Sequence, residues 1–363
     1  MKRVFLIHNI PSPYRLPIFE ELSKHVNLEV FFLDNVMKDR FWENELESYN
    51  FKYKYSKRKS RIGPLIYNFD ALKMILRHKY DVIIIVDDLP TILNTYILIL
   101  AAKIVKTRVI VWSGRFHNGT FKSKSKIAKI MLGVHNKLIY KYFSDKILAY
   151  GTATFNFLKN EGVDAEKIVV GTQVYPLSLI KFNQHLGKKK NKFVFLSICY
   201  LNKRKGVDIL IRAFKEAFNH SNRYFLYIVG DGPGRSSLAQ RAYDNPNIIF
   251  FGNLEKEKKY EVLESCDVFV LPTLYDSWGL VINEAMEFFK PIITTNMAMG
   301  AYDLVKGNGY VVKAGNINEL KEAMRKITTE DIYKMGKRSN EIIKKYNVNF
   351  VVKNFLKAID GAV

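Results

Sequence analysis

The chain has 363 residues, enough for two domains that each bury a core of their own. With 48% hydrophobic residues, 25% charged residues and 10 prolines, its composition is that of a globular protein and excludes collagen, coiled coil and disorder. The net charge of +22 favours anionic partners: nucleic acid, acidic lipid or phosphorylated small molecules.

Two cysteines, Cys199 and Cys266, are too few for a disulfide framework and lack the spacing of a zinc site, which indicates a reducing compartment. The longest strongly apolar run, Tyr96 to Ala102, is far shorter than the roughly 20 residues that span a bilayer. The run Val4 to Ile7 is too short for the core of a signal peptide. We therefore expect a cytoplasmic protein, either free or attached to the inner face of the plasma membrane.

The first half of the chain alternates short apolar runs rich in β-formers with amphipathic segments of helical length. The predicted strands are Val4 to Ile7, Leu28 to Leu33, Val82 to Val86, Arg108 to Trp112, Lys146 to Ala149 and Lys167 to Val170. The predicted helices between them include Leu16 to Val26, Phe69 to Arg77 and Ile92 to Val105. Strands without polar alternation are buried on both faces, so the pattern predicts a parallel sheet covered by helices, in a domain of residues 1–178.

Residues 179–191 have no strong apolar pattern and include three consecutive lysines, so we interpret them as a linker. Beyond them the alternation resumes and predicts a second α/β domain over residues 192–339. The predicted strands are Phe193 to Cys199, Tyr224 to Val229, Ile248 to Phe251, Val268 to Leu271 and Ile292 to Thr294. The predicted helices are Val207 to Ala217, Lys258 to Ser265 and Leu280 to Phe288. The carboxyl edges of the two sheets are expected to face an interdomain cleft that binds the ligand.

Residues 340–363 carry apolar side chains at helical spacing, among them Ile343, Phe350 and Phe355. They predict a terminal helix, which we expect to pack back toward the N-terminal domain.

Two carboxylates flank a predicted helix start near Ser277 to Leu280. Asp276 stands just before the helix and Glu284 lies more than one turn inside it, so both can reach a ligand held there. The unpaired N–H groups of Gly279 to Val281 favour a phosphate at this point. The alternative is that Asp276 or Ser277 caps the helix and Glu284 faces solvent. The spacing alone leaves both interpretations open.

Several segments match one family in the same order along the chain. They are Ser197 to Asp208 with Lys205-Gly206, the loop Val229-Gly230-Asp231-Gly232-Pro233, the turn Phe251-Gly252-Asn253-Leu254, and Asp276-x7-Glu284-Ala285-Met286 followed by Pro291-Ile292-Ile293. In the first half, His8 to Arg15 is similar to the first loop of some members. By these motifs the chain resembles the retaining glycosyltransferases of family 4, within glycosyl transferases group 1.

The resemblance implies the α/β GT-B architecture of two Rossmann-like domains. It implies transfer of a sugar from a nucleoside-diphosphate sugar to a glycan or lipid-linked acceptor, in cell-surface polysaccharide or glycoconjugate synthesis. It also implies retention of anomeric configuration and no metal or other cofactor.

The same resemblance assigns site residues. The catalytic candidates are Lys205 on the diphosphate, Glu284 on the ribose, Asp276 on the sugar hydroxyls and His117 near the donor sugar. The other donor-binding candidates are Tyr200, Arg204, Gly232, Asn253, Ser277, Gly279, Leu280 and Val281. The acceptor-side candidates are Arg15 and Arg115, and His8 is a further candidate in the first loop.

Two positions depart from the family pattern. Tyr200 stands where the family usually has an arginine, which removes one bidentate partner of the diphosphate. Asp276 replaces a glutamate and is one methylene shorter. These departures keep an alternative open, a catalytically weak or inert protein of GT-B type that binds nucleotide sugars.

Three other functional classes receive less support from the sequence. The loop Gly230 to Gly234 lacks the spacing of a dinucleotide fingerprint, and Pro233 removes a donor that a pyrophosphate needs. Asp87-Asp88 lacks the Asp-x-Asp spacing of metal-dependent transferases, and we interpret the pair as strand-edge carboxylates. No nucleic-acid recognition motif accompanies the basic charge, so no specific nucleic acid is expected as a partner.

The basic charge is concentrated in one region. Eleven Lys or Arg and one acid lie between Ala101 and Lys146. Within residues 121–143 an apolar stripe is flanked by lysines, and its members are Ile127, Met131, Val134, Leu138 and Tyr142. The pattern is typical of a helix lying on an anionic membrane surface, but an amphipathic helix packed on its own sheet has the same pattern.

Overall fold

The computed structural model describes residues 1–34, 46–57, 59–62, 65–87, 92–116, 133–176, 192–219 and 221–361. The chain forms two compact units, one of Met1–Pro176 with Asn347–Val363 and one of Leu177–Tyr346. The predicted linker, 179–191, lies outside the described residues.

The first unit is built on a parallel sheet of seven strands. The described strands of the unit, inside and outside this sheet, are β1 (Arg3–His8), β2 (Asn27–Phe32), β3 (Lys52–Tyr55), β4 (Lys59–Ile62), β5 (Leu65–Asn68), β6 (Val82–Val86), β7 (Arg108–Ser113), β8 (Lys146–Ala149) and β9 (Ile168–Val170). The sheet order is β3-β2-β1-β6-β7-β8-β9, and β4 and β5 form a separate antiparallel pair. The order of addition reverses between β1 and β6, which makes their carboxyl ends the topological switch point of this sheet.

Helices cover both faces of this sheet and bury one apolar core on each face. Successive side chains of each strand point alternately into the two cores. Val4 and Leu6 point into one core, and Phe5 and Ile7 into the other. The helices are α1 (Leu16–Ser23), α2 (Phe69–Arg77), α3 (Ile92–Ile104), a π-helix (Lys137–Phe143) and α4 (Thr152–Asn160), with short 3-10 turns at Leu46–Ser48 and Ala165–Lys167.

The second unit has a parallel sheet of six strands. They are β10 (Phe193–Ile198), β11 (Tyr224–Val229), β12 (Ile248–Gly252), β13 (Val268–Leu271), β14 (Ile292–Thr295) and β15 (Gly309–Val312). Its helices are a 3-10 turn (Lys203–Lys205), α5 (Val207–Phe218), α6 (Arg235–Ala242), α7 (Lys256–Ser265), α8 (Leu280–Glu287), α9 (Ala301–Leu304), α10 (Ile317–Ile327) and α11 (Ile332–Ile343). The sheet order is β12-β11-β10-β13-β14-β15, so the switch point lies between β10 and β13. The predicted fold class, two Rossmann-like domains with parallel sheets, is confirmed.

The final helix differs from its prediction. Residues 340–343 complete α11 in the second unit, and the next helix, α12 (Val348–Asp360), belongs to the first unit. The two helices are separate because Asn347 has an extended backbone. Its side chain caps α12 by accepting a hydrogen bond from the N–H of Phe350 at 2.9 Å. The boundary predicted at residue 340 therefore moves to Tyr346. Within the first unit, Phe355 of α12 packs edge-on against Trp112 with ring centroids 4.9 Å apart.

None of the helices among the described residues combines the length and the apolar character that crossing a bilayer requires.

Helix α8 carries a buried carboxylate, Glu287, in its last turn. Burial raises the pKa of Glu287 to about 7, and Lys344 opposes this rise. The native protein therefore holds this proton more tightly than the unfolded chain does. Between the unfolded pKa and the folded pKa, the unfolded chain releases this proton while the native protein retains it. The free energy of unfolding therefore falls as the pH rises through this range.

We expect Glu287→Gln to remove this pH dependence, because an amide stays neutral. The free energy of unfolding of the variant, relative to the native protein, should increase between about pH 5 and about pH 8 by on the order of 2–3 kcal/mol. Urea unfolding at both pH values measures it. Glu257→Gln changes an exposed acid of α7 and is the control. An equal effect of Glu287→Gln at both pH values would contradict the prediction.

Candidate functional site

The switch point of the six-stranded sheet brings two loops together. One follows β10 and carries Lys205, and the other follows β13 and carries Asp276. In open parallel sheets the crevice outside the carboxyl ends of two such strands is the usual ligand site. The two predicted residues lie in direct contact there, because Lys205 Nζ is 2.5 Å from Asp276 Oδ2.

Lys205 is held by the turn that precedes α5. The Asn202 side chain accepts a hydrogen bond from the N–H of Lys205 at 3.3 Å and closes a single 3-10 turn. The next residue, Gly206, has φ 65° and packs so closely that a Cβ would lie 2.3 Å from the carbonyl oxygen of Pro272. Only glycine fits this position, so the loop after β10 is pressed against the loop after β13.

Asp276 accepts two hydrogen bonds through different oxygens. Oδ2 faces Lys205, and Oδ1 accepts from the N–H of Trp278 at 3.3 Å. Burial alone raises the pKa of Asp276, but Lys205, Arg204 and the Trp278 N–H together hold it below its usual value. The carboxylate is therefore ionised at neutral pH.

The cap interpretation of Asp276 and Ser277 is wrong. Helix α8 begins after Gly279, which has φ 86°, and no side chain caps it. Glycine takes this left-handed conformation without steric cost, whereas a residue with a Cβ resists it. The first N–H groups of α8, at Leu280 and Val281, have no acceptor within the helix and form a local anion-binding end.

Glu284 does not face solvent, so the second part of the alternative interpretation is also wrong. Its side chain is 8% exposed, and its Oε1 is 2.5 Å from Nζ of Lys259 in the first turns of α7. The start of α8 thus has Asp276 before it and Glu284 within the helix, and each carboxylate is paired with a lysine.

The other donor-side candidates differ in their exposure to solvent. Arg204 is exposed, donates to the carbonyl of Tyr275 at 2.7 Å and lies 3.8 Å from Asp276. Gly232 lies against Leu201, whose carbonyl oxygen is 2.6 Å from the position of an added Cβ. The remaining candidates are Tyr200, Ser277, Leu280 and Val281, all half-buried, buried Gly279 and exposed Asn253.

Arg15, in the first unit, is almost fully buried. Its guanidinium donates to the carbonyl of Thr172 and to Oε1 of Gln173, both at 2.9 Å, and lies 4.2 Å from the centroid of Trp112. His8 is also buried, with Nδ1 2.9 Å from the carbonyl of Ile10. Arg15 therefore ties the start of α1 to the segment after β9. His117 lies outside the described residues.

Arg115 forms a buried cluster with Asp87, at the end of β6. Its Nη2 lies 2.9 Å from Oδ2 of Asp87, which also accepts from Tyr140, while His135 Nε2 is 3.5 Å from Oδ1. Burial raises the pKa of Asp87, but Arg115, His135 and Tyr140 outweigh it and hold that pKa well below its usual range. The interpretation of Asp87 as a strand-end carboxylate agrees with this position, and the acceptor-side role of Arg115 stays a prediction.

Sequence reasoning missed Lys259 and the cluster around Asp87. Lys259 lies in a lysine-rich stretch, and nothing in its spacing distinguishes it from the exposed Lys258. Asp87 and Arg115 each follow a predicted strand, and β6 and β7 are neighbours in the sheet. That adjacency was the one available signal for the pair.

The chain is similar to known proteins in sequence and in fold. Residues 180–347 match the family described as Glycosyl transferases group 1. The poly(ribitol-phosphate) alpha-N-acetylglucosaminyltransferase of Staphylococcus aureus is 24% identical over 43% of this chain and 33% of its own length. The alpha-galactosylglucosyldiacylglycerol synthase of Streptococcus pneumoniae is 24% identical over 58% of this chain and 59% of its own length.

The similarity to solved structures extends over both units. Anabaena Alr3699/HepE, solved in complex with UDP and glucose, aligns with a TM-score of 0.74 and 17% identity, over 99% of this chain and 100% of that one. In sequence, by contrast, the chain spans about a third to a half of the length of the first curated relatives. Residues 180–347, nearly the whole of the second unit, thus match the family glycosyl transferases group 1, and the chain has the two-sheet fold of GT-B glycosyltransferases.

Proposed function

We propose that the protein is a glycosyl transferase of group 1 that moves a sugar from a nucleoside-diphosphate sugar to a glycan or lipid-linked acceptor. The observation that carries the proposal is the arrangement at the start of α8, where Lys205, Asp276 and Glu284 lie around an uncapped helix end. Similar proteins are named for sugar transfer to poly(ribitol-phosphate) and for a glycosyldiacylglycerol, and one was solved with UDP and glucose.

The chemistry follows from where charge develops. As the bond between the sugar and the diphosphate breaks, negative charge grows on the leaving oxygen. Lys205 and the N–H groups at the start of α8 stabilise that charge more strongly in the transition state than in the bound donor. Glu284 holds the ribose hydroxyls, and Asp276 orients the donor sugar through its own hydroxyls. Retention of configuration and independence of metal stay predictions from the family resemblance.

We expect Lys205→Ala and Glu284→Ala each to lower turnover by at least about tenfold, which is about 1.4 kcal/mol of transition-state stabilisation. Both side chains line the site and neither belongs to the apolar core. Release of nucleoside diphosphate from a panel of nucleotide sugars, with and without a chelator, measures the rate. Lys203→Ala changes an exposed lysine of the same turn and is the control. Native rates from either site variant would exclude that residue.

Asp276→Asn separates donor orientation from nucleotide binding. The amide keeps an acceptor for the N–H of Trp278 but no longer attracts Lys205 as a charged group. Turnover should therefore fall at least about tenfold, while affinity for the bare nucleoside diphosphate stays within about threefold. Rate assays and titration calorimetry give the two values. Equal losses in both would assign Asp276 to nucleotide binding alone.

The same assays test the alternative of a weak or inert nucleotide-sugar binder. That alternative rests on Tyr200 and Asp276, the two departures from the family pattern. Donor binding without release of nucleoside diphosphate, in the presence of a range of acceptors, would favour it.

Attachment to an anionic membrane is part of the proposal, with the chain at the cytoplasmic face of the plasma membrane. Residues 121–132 of the predicted helix lie outside the described residues, and 133–143 are described. Here Val134 and Tyr142 of the apolar stripe are 52% and 62% exposed, whereas Ile139 and Tyr140 are buried. Packing on the sheet therefore accounts for Ile139 and Tyr140 but not for Val134 and Tyr142. Exposed Lys137 and Lys141 flank it, as on a lipid-binding surface.

Lys137→Gln/Lys141→Gln should weaken cosedimentation with acidic liposomes, because each lysine near such a surface contributes on the order of 1 kcal/mol. The effect should shrink as salt is added, since the attraction is screened. Lys353→Gln/Lys357→Gln removes the same charge from α12, which packs into the other core of the first unit, and should leave binding unchanged. Equal binding by the two double variants would exclude this surface as the membrane contact.

A further inference from the structure

The second unit has two ion pairs that stand apart from the rest. Among the ion pairs described there, only Lys205 with Asp276 and Lys259 with Glu284 keep both side chains at 20% exposure or less. The family resemblance names both residues of the first pair as site residues. It does not predict Lys259, which comes from a different helix, 25 residues before its partner.

The position of Lys259 is unfavourable for a lysine in a purely structural role. The first turns of α7 contain three lysines, and the positive end of a helix dipole disfavours cations there. A half-buried ion pair is, in addition, seldom more stable than an apolar contact of the same volume. The pair with Glu284 is therefore better explained by a requirement of the site than by a requirement of the fold.

Helix geometry puts this ammonium close to the phosphate position. Glu284 lies four residues after Leu280, or about 6 Å along the helix axis. Side chains on a helix lean toward its N-terminus, so the Glu284 carboxylate approaches the open N–H groups of α8. Lys259 Nζ lies 2.5 Å from Oε1 of that carboxylate. An ammonium has three N–H donors, and can hold a carboxylate and a phosphate oxygen together.

The charge balance of the site points the same way. Arg204 and Lys205 only neutralise Asp276 and Glu284, so these four side chains leave nothing to attract a diphosphate. Arg204 is a poor second cation because its side chain is 46% exposed and tethered to the Tyr275 carbonyl. Lys259 gives the site its net positive charge.

We propose that Lys259 is the second cation of the donor site, binding a phosphate oxygen of the nucleoside diphosphate while it orients Glu284. The assignment rests on the proposed function. It supplies from α7 the positive charge that is absent at Tyr200.

Titration calorimetry with UDP, GDP, ADP and their nucleosides tests the proposal. For each diphosphate that the native protein binds, Lys259→Met should weaken binding at least about tenfold, and binding of the matching nucleoside should weaken less, because the nucleoside has no phosphate and senses the change only through Glu284. Lys258→Met is the matched control on the same helix, exposed to solvent, and should bind like the native protein. Unfolding curves of both variants establish that the fold is retained.

The same substitution in a Glu284→Gln protein tests whether Lys259 contacts the phosphate directly or acts only by positioning Glu284. In Glu284→Gln, the further change Lys259→Met should still weaken diphosphate binding at least about fivefold, because the phosphate contact does not need Glu284. No additional loss in that background would mean that Lys259 acts only through Glu284 and would overturn the proposal, as would native affinity of Lys259→Met itself. If the native protein binds none of the diphosphates, the proposed function fails together with this assignment.

Discussion

The ion pair between Lys205 and Asp276 joins the two loops at the switch point of the second sheet. Its geometry depends on the polarity of the sheet, since β10 and β13 are parallel neighbours whose carboxyl ends open on the same side. The close approach of Gly206 to Pro272 presses the two loops together, and the left-handed Gly279 turns the chain into α8. Movement of either loop would separate Lys205 from Asp276 and would displace the first N–H groups of α8.

The two units differ in how their buried charged side chains are paired. In the first unit Asp87 and Arg115 contact each other and two further polar side chains, within a cluster that excludes solvent. At the candidate site of the second unit, Asp276 and Glu284 are each paired with a lysine, and both pairs stay partly open to solvent. Lysine suits this arrangement because its flexible stem lets it exchange one anionic partner for another, whereas the planar guanidinium of Arg115 favours a fixed geometry.

The apolar runs were sufficient to predict the central strands: β6, β8, β11 and β13 have the predicted bounds. Edge strands were missed where they are partly exposed and lack a continuous apolar run, as in β3 and β15. At the site, Asp276 and Glu284 were found by their spacing around one helix start. Lys259 was not, because its contact with Glu284 joins two helices and leaves no trace in local periodicity. The same limit applies to Asp87 and Arg115, which are 28 residues apart.

The return of α12 to the first unit affects how this chain is made. Val351, Val352 and Phe355 complete the core that contains Trp112, yet they are synthesised after the whole of the second unit. Domains usually fold as units while the chain emerges from the ribosome. Here the amino-terminal unit, although translated first, has an open apolar face until α12 has been synthesised. The second unit can therefore complete its core before the first unit does, although it is translated later.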